Sequence, residues 1–299
     1  MRDDSVQQVR AFNRTVTQRI GALHDHYLAR DRPLGASRVL WEVDADGTDA
    51  RLIRARLDLD SGYLSRLLRL LETDQLVVVE PHPTDQRVRI VRLTDRGRAE
   101  RQLLDQRSDE LAASLLAPLD DTRQVRLVVA MATVERLLTA GLVDIAVESP
   151  ASSPAKFCIS SYFSELDTRF DAGFDPAASI SADEAELTEP AGLLLLARLR
   201  SEPIGCGAVK FHDDALAEIK RMWVAESARG LGVGRRILTE LERRAHDRGA
   251  TVLRLETNQS LGEAISLYRS AGYHEVAAFN DEPYAHHWFE KRLPHPAGG

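Results

Sequence analysis

Cysteine occurs only twice in the 299 residues, as Cys158 and Cys206. Two are too few for a disulfide framework or a cysteine-based zinc site. Lysine is almost as scarce. Lys156, Lys210, Lys220 and Lys291 all lie after residue 150, so the first half is basic through arginine alone. No uninterrupted apolar run approaches the roughly 20 residues that a membrane-spanning helix needs. The nearest, around 125–147, is broken by Arg126, Glu135, Arg136 and Asp144. No signal peptide opens the chain, and neither internal repeats nor low-complexity tracts appear. These absences lead us to expect a soluble, cytoplasmic protein without membrane association.

What is present is ordinary for a globular protein: 43% apolar and 28% charged residues, in a length comfortable for two domains. The net charge of −7 is uneven. Residues 1–145 hold 22 arginines against 23 acids, and residues 51–98 hold ten arginines against seven acids. A local excess of that size is compatible with binding DNA. Composition shifts once, at "VESPASSPAK" (147–156), where prolines and serines read as a linker. The expected domains are therefore 1–146 and 156–299, joined by 147–155.

The front half reads as mainly helical. Val6, Val9, Phe12, Val16, Ile20, Leu23 and Tyr27 recur at helical spacing, and Asp121–Leu138 carries a second stripe through Val125, Val128, Met131 and Leu138. Between them the pattern predicts a helix over 49–57, a turn, a helix over 61–72 and a β-hairpin. Asp60 or Ser61 can cap the second helix. Leu64, Leu67, Leu68 and Leu71 form its inward stripe, which leaves Ser61, Tyr63, Ser65, Arg66 and Arg69 outward, where they suit a major groove. Asp85 and Arg87 stand at the hairpin tip, and an acid there can orient the arginine toward phosphate or the minor groove. The residues alone also allow a core helix with solvated arginines, or a dimerisation module that binds no DNA.

This stretch resembles the MarR family of transcription regulators, on its second helix, its Asp85/Arg87 wing and "LTDRG" (93–97). The resemblance implies a winged helix-turn-helix that binds double-stranded DNA as a homodimer clasped by its first and last helices. Gln75 stands where the family usually has glycine, so a left-handed backbone is expected there.

The back half alternates strand-like and helical segments. Arg229, Gly230, Leu231, Gly232, Val233, Gly234 and Arg235 lie between a predicted strand (217–224) and a predicted helix (235–248). Small residues at a helix N-terminus let backbone N–H groups close around an anion such as a pyrophosphate. The spacing is not Gly-x-Gly-x-x-Gly, and no Gly-Lys-Ser/Thr follows, so neither a Rossmann fingerprint nor a P-loop is present.

The pattern resembles the Arg/Gln-x-x-Gly-x-Gly/Ala coenzyme A loop of the GNAT acetyltransferases, with Arg229, Gly232 and Gly234 at its fixed positions. The resemblance covers roughly 156–293. It implies a mixed α/β domain with a central splayed sheet, acetyl-CoA as cofactor, and transfer of acetyl to an amine. The backbone of Met222, Trp223 and Val224 would meet the pantetheine arm and the thioester oxygen. Asn258 would contact the cofactor and Tyr268 would protonate the departing thiolate. Glu218 is the candidate base, although it also reads as a substrate-binding carboxylate or a partner of Lys220 or Arg221. Alternation places Glu218, Lys220, Met222 and Val224 on one face. Phe170, Glu282, Tyr284 and His286 are candidate acceptor contacts, with "LDTRFDAGFDP" (166–176), just after the first strand, as a cover. His286 and His287 lack a partner at metal-ligand spacing, so no metal is expected.

The whole is thus expected to be a multidomain α+β protein: a small-amine or amino-acid acetyltransferase fused to a regulator. Two alternatives are a regulator that senses acetyl-CoA with little turnover and an enzyme that acetylates protein lysines.

Overall fold

The computed structural model describes residues 2–23, 27–180, 182–212 and 215–294. The chain forms two compact units, 1–132 and 133–299.

The first unit runs α1 (Arg2–Arg19), α2 (Leu34–Trp41), β1 (Thr48–Asp49), α3 (Ala50–Leu57), α4 (Ser61–Thr73), β2 (Val77–Pro81), β3 (Arg89–Leu93) and α5 (Asp95–Leu116), and α6 (Asp121–Gly141) crosses the division. The three strands pair in the order β1-β3-β2. Leucines three and four apart give α4 one apolar face, and Leu64, Leu67, Leu68 and Leu71 pack with Val39, Leu40, Ile53, Val91 and Leu104. Asp60 caps α4, its carboxylate accepting from the Tyr63 N–H at 2.8 Å. Gln75 turns the chain into β2 with φ 58°. Gly97 lets α5 start hard against β2, since a Cβ there would lie 1.9 Å from the Leu76 carbonyl oxygen. Val6, Val9 and Phe12 of α1 and Val125, Val128, Met131 and Leu138 of α6 are exposed within the chain.

The second unit contains β4 (Val143–Glu148), α7 (Ser153–Arg169), β5 (Gly192–Leu199), β6 (Glu202–Phe211), β7 (Leu216–Val224), α8 (Val233–Asp247), β8 (Val252–Thr257), α9 (Gly262–Ser270), β9 (His274–Val276) and β10 (His287–Arg292). Its seven strands, among the described residues, lie in the order β4-β5-β6-β7-β8-β10-β9. Both faces are covered, which is why β5 reads as an unbroken apolar run. Leu193 and Leu195 pack in the cluster with Ile237, Leu238 and Leu241 of α8, and Leu194 and Leu196 pack against Ala155 and Cys158 of α7.

Two expectations need correction. Residues 147–155 are not a linker: Val147 and Glu148 finish β4, which pairs with β5 from Val143↔Leu199 to Glu148↔Leu194. Ser152 then caps α7, accepting from the Ala155 N–H at 3.2 Å, with proline in the first turn. Serine and proline are favoured where helices begin, so a cap looks like a linker in composition. The segment 166–176 begins in the last turn of α7 rather than after a strand.

The feature that shapes the site is the one parallel strand pair among the described residues. β7 and β8 are joined only at Leu216↔Val252, Ala217↔Leu253 and Glu218↔Arg254, and they part beyond that.

Candidate active site

The glycine loop lies where β7 leaves its neighbour. Gly230 and Gly232 have φ 81° and 75°, a region that side chains strain to enter. A Cβ on either would meet nothing within 4 Å, so the backbone there is open. Gly232 is the N-cap of α8 and offers no side chain to cap it. The first N–H groups of the helix therefore remain free to bind an anion, aided by the helix dipole. A groove of about 480 Å³ runs from the loop past Met222, Trp223 and Val224 to Leu267 and Tyr268. Its mouth fits a diphosphate and its apolar course fits a pantetheine arm. Arg229 donates to both oxygens of Glu165 at 2.6 and 2.7 Å, and Arg235 reaches the Ser270 hydroxyl.

A second, smaller cavity of about 90 Å³ occupies the gap between β7 and β8. Tyr162, Leu166, Met222, Leu261, Ala264 and Tyr268 line both spaces, so the two meet at these side chains. Phe163, Phe170, Phe174 and Tyr284 form an aromatic wall, the Phe174 and Tyr284 rings lying 4.9 Å apart. The Tyr284 hydroxyl accepts from the Asp175 N–H at 3.0 Å. Glu282 accepts from the Ser179 hydroxyl at 3.0 Å and the Ile180 N–H at 2.6 Å. These bonds hold the segment after α7 against the cavity. Burial pushes the Tyr268 hydroxyl well above its ordinary value, and Tyr162 and Glu256 push it further. Tyr268 is thus protonated at neutral pH.

The expected alternation along β7 fails at Arg221, whose φ is 54°. The β6–β7 register passes from Ala208↔Lys220 to Cys206↔Trp223, so Arg221 and Met222 together face the single Gly207. This is a β-bulge, and it flips the strand by one residue. Met222 and Val224 consequently pack toward the α8 cluster with Ile219, while Glu218 and Lys220 point to the opposite face.

Glu218 does not line the cavity. It pairs with Lys220 at 2.8 Å and approaches His212 Nε2 at 3.2 Å. Glu256, from β8, does line it. Its Oε1 meets Lys220, and its Oε2 is buried without a partner. Burial pushes up the carboxyls of both Glu218 and Glu256. For Glu218 the Lys220 charge outweighs burial and the net shift is downward. For Glu256 the net shift is upward, with Glu218 adding its repulsion. Lys220 is lowered by burial but raised more by the two carboxylates, so it stays charged.

The remaining predicted residues divide. Phe170, Glu282 and Tyr284 reach the cavity, whereas the exposed His286 lies outside its lining. Asn258 lines the inner cavity rather than the glycine groove, and its amide is engaged: Nδ2 donates to the Tyr284 carbonyl at 2.8 Å and Oδ1 accepts from Ser260 at 2.9 Å. In the first unit Ser61, Ser65, Arg66, Arg69, Asp85 and Arg87 are exposed, and Arg66 stacks on Tyr63 at 5.5 Å. Asp85 accepts from the Arg87 N–H at 3.0 Å. Sequence reasoning missed Glu256 and Tyr162. Glu256 had a signal, a charge between Leu255 and Thr257 in a strand buried on its other face. Tyr162 had none once its helix was taken for a strand. Among the described residues no cluster of three or more metal-ligating side chains occurs, and no helix is long and apolar enough to cross a membrane.

The family match falls within the second unit. The model of the acetyltransferase (GNAT) family matches residues 159–273. The chain is 32% identical to the IAA acetyltransferase of Azospirillum brasilense over 133 residues, 44% of this chain and 86% of that one. It is 35% identical to the mycothiol acetyltransferase of Thermomonospora curvata over 89 residues, 30% of each chain. A crystal structure of a GNAT-family acetyltransferase from Staphylococcus aureus Mu50 matches 51% of this chain and 99% of its own, at 16% identity and a TM-score of 0.45.

Proposed function

The chain belongs to the GNAT acetyltransferase family and uses acetyl-CoA, and from that premise we propose that it acetylates a small primary amine or amino acid under the control of a DNA-reading front half. The observation that carries the enzymatic reading is the meeting of the two cavities at Tyr268. One opens on the glycine loop, and the other, about 90 Å³ and aromatic-walled, suits an amine's reacting end.

When bound, acetyl-CoA supplies an activated thioester carbonyl. The N–H groups of residues 232–235 hold its diphosphate, and the free edge of β7 beyond Glu218 takes the pantetheine arm. Backbone N–H groups after the Arg221 bulge face the thioester oxygen. The aromatic wall and Glu256 receive the acceptor ammonium. Glu256 removes its proton and Tyr268 gives one to the leaving sulfur. We assign the base to Glu256 rather than Glu218, because Glu256 lines the cavity and has a free oxygen.

For the front half the proposal is a MarR-like winged helix that binds double-stranded DNA as a homodimer. Its support is the capped α4 with outward Ser65, Arg66 and Arg69, the exposed Asp85/Arg87 hairpin tip, and the uncovered apolar stripes of α1 and α6. The cytoplasm is the compartment proposed for such a protein.

Coenzyme A release measured against amino acids, polyamines, arylamines and lysine peptides tests the acceptor. Turnover confined to lysine peptides would overturn the small-amine reading. Arg66→Ala combined with Arg87→Ala should weaken DNA binding by about 1–3 kcal/mol per lost contact and spare acetyl transfer. Unchanged DNA affinity would remove the groove assignment.

A further inference from the structure

We propose that the proton taken from the acceptor by Glu256 leaves the cavity through Glu218 to His212, which delivers it to solvent. The proposal rests on Glu256 being the base. It concerns a step that the reaction requires but the cavity by itself does not provide. An alkylammonium and a thioester become an amide, a thiol and one proton. The nitrogen–carbon bond forms as the carbon–sulfur bond breaks. The sulfur is protonated from Tyr268, whose hydroxyl recovers its proton from the second N–H lost by the attacking nitrogen. One proton therefore remains at Glu256 after each turnover. With the groove filled by cofactor and the segment after α7 held over the cavity, that proton needs a route.

The chain supplies a graded one. Glu256 has a side chain 9% exposed, Glu218 12% and His212 34%. Both carboxylates contact the same Lys220 ammonium, Glu218 at 2.8 Å, which holds them side by side. Glu218 binds Lys220 through Oε1, and its Oε2 lies 3.2 Å from His212 Nε2. Lys220 is not a carrier, because it stays charged. Its role is to hold two acids near enough to share one proton, as like-charged neighbours do. The other groups around the route are accounted for. Tyr162 of α7 and Tyr268 of α9 flank Glu256. Lys210, opposite Glu218 on β6, is paired with Glu186, which also lies near His212. His212 suits the last position because it is the most exposed of the three groups and its Nε2 meets Glu218 Oε2.

The test uses the full chain with ethylamine as acceptor, in weak and strong buffer. His212→Gln should lower kcat about tenfold in weak buffer while the KM for acetyl-CoA holds. Added imidazole should restore the rate, because a small base can stand in for an exposed imidazole but not for a structural contact. Glu218→Gln should lose at least about a hundredfold without rescue, since imidazole cannot reach the buried step. A second readout is spectroscopic: infrared difference spectra recorded during turnover should show a carboxyl becoming protonated in the wild type, that band persisting longer in His212→Gln, and no such band in Glu256→Gln. A wild-type rate for His212→Gln, or a loss that imidazole does not repair, would overturn the relay. If Glu256→Gln is inactive alongside that result, the base assignment stands and only the exit route falls. An active Glu256→Gln overturns both.

Discussion

Glu100 in the first unit and Glu256 in the second are both buried glutamates, and they are treated in opposite ways. Glu100 accepts from Arg30 Nε and Nη2 at 2.7 Å and from Arg32 Nη1 at 2.5 Å, so both its oxygens are engaged. Burial pushes its carboxyl up, but the two guanidinium groups outweigh that and hold it below the usual range. Glu256 has a single cationic partner, shares it with Glu218, and keeps one oxygen unpaired. A fully satisfied buried acid ties elements together, whereas one left half-satisfied next to a cavity is set for chemistry.

Reciprocal substitution is the strongest way to break this comparison. Glu256→Gln should cut acetyl transfer by about a hundredfold or more and leave the melting temperature nearly unchanged. Glu100→Gln should leave kcat per folded molecule alone. It should destabilise the first unit by about 2–3 kcal/mol, because the buried Arg32 and the half-buried Arg30 lose a shared counter-charge, and Arg32 keeps only Asp74. Hydrogen exchange in α2–α4 reads that loss. If Glu256→Gln destabilises as much as Glu100→Gln, the distinction between the two sites is gone.

Next in size is Tyr268→Phe, which keeps the ring and removes the proton donor. The expected loss in kcat is about a hundredfold, with acetyl-CoA affinity unchanged. An unaltered rate would leave Tyr268 as a packing residue against Tyr273 and Phe289.

Acid sharpens the comparison further. Because Glu100 titrates below its unfolded value of about 4.3, the stability it contributes is fully present above that pH. It is lost as pH falls through the lower folded value. Stability of the first unit plotted against pH should therefore drop on the acid side in the wild type. It should drop less steeply in Glu100→Gln. Equal slopes would mean that another carboxylate dominates.

How much of this could be read beforehand follows from how local each signal is. The glycine loop was legible because positive φ at Gly230 and Gly232 is a demand of single residues. The inward leucines of α4 were legible because helical spacing is local too. The facing of Met222 and Val224 was not, because the bulge at Arg221 depends on how β7 meets Gly207 on another strand, and one residue of slip moves every later side chain to the other face. Asn258 sits at the end of its strand as expected, yet its amide ties down the Tyr284 carbonyl, a partner 26 residues away. The 147–155 segment misled for a different reason, since Ser152 and the proline after it serve a helix cap exactly as they would serve a loop.

The smallest effect separates glycines that look alike in the motif. Gly232→Ala must place a Cβ on a residue with φ 75°, a cost of about 1–2 kcal/mol. The strain falls on the N-cap of α8, where the free N–H groups are aimed, so acetyl-CoA binding should weaken by about tenfold. Gly234 has ordinary helical φ, and a Cβ there would sit 3.5 Å from Leu267 and 3.6 Å from Val224, which is normal contact. Gly234→Ala should therefore leave stability within about 0.5 kcal/mol or raise it slightly, because helical alanine is favoured over glycine. Titrating both variants with acetyl-CoA by calorimetry decides the matter. If the two weaken binding equally, the loop works through the space its glycines leave for the cofactor. If only Gly232→Ala does, it works through the backbone conformation that aims the helix N-terminus.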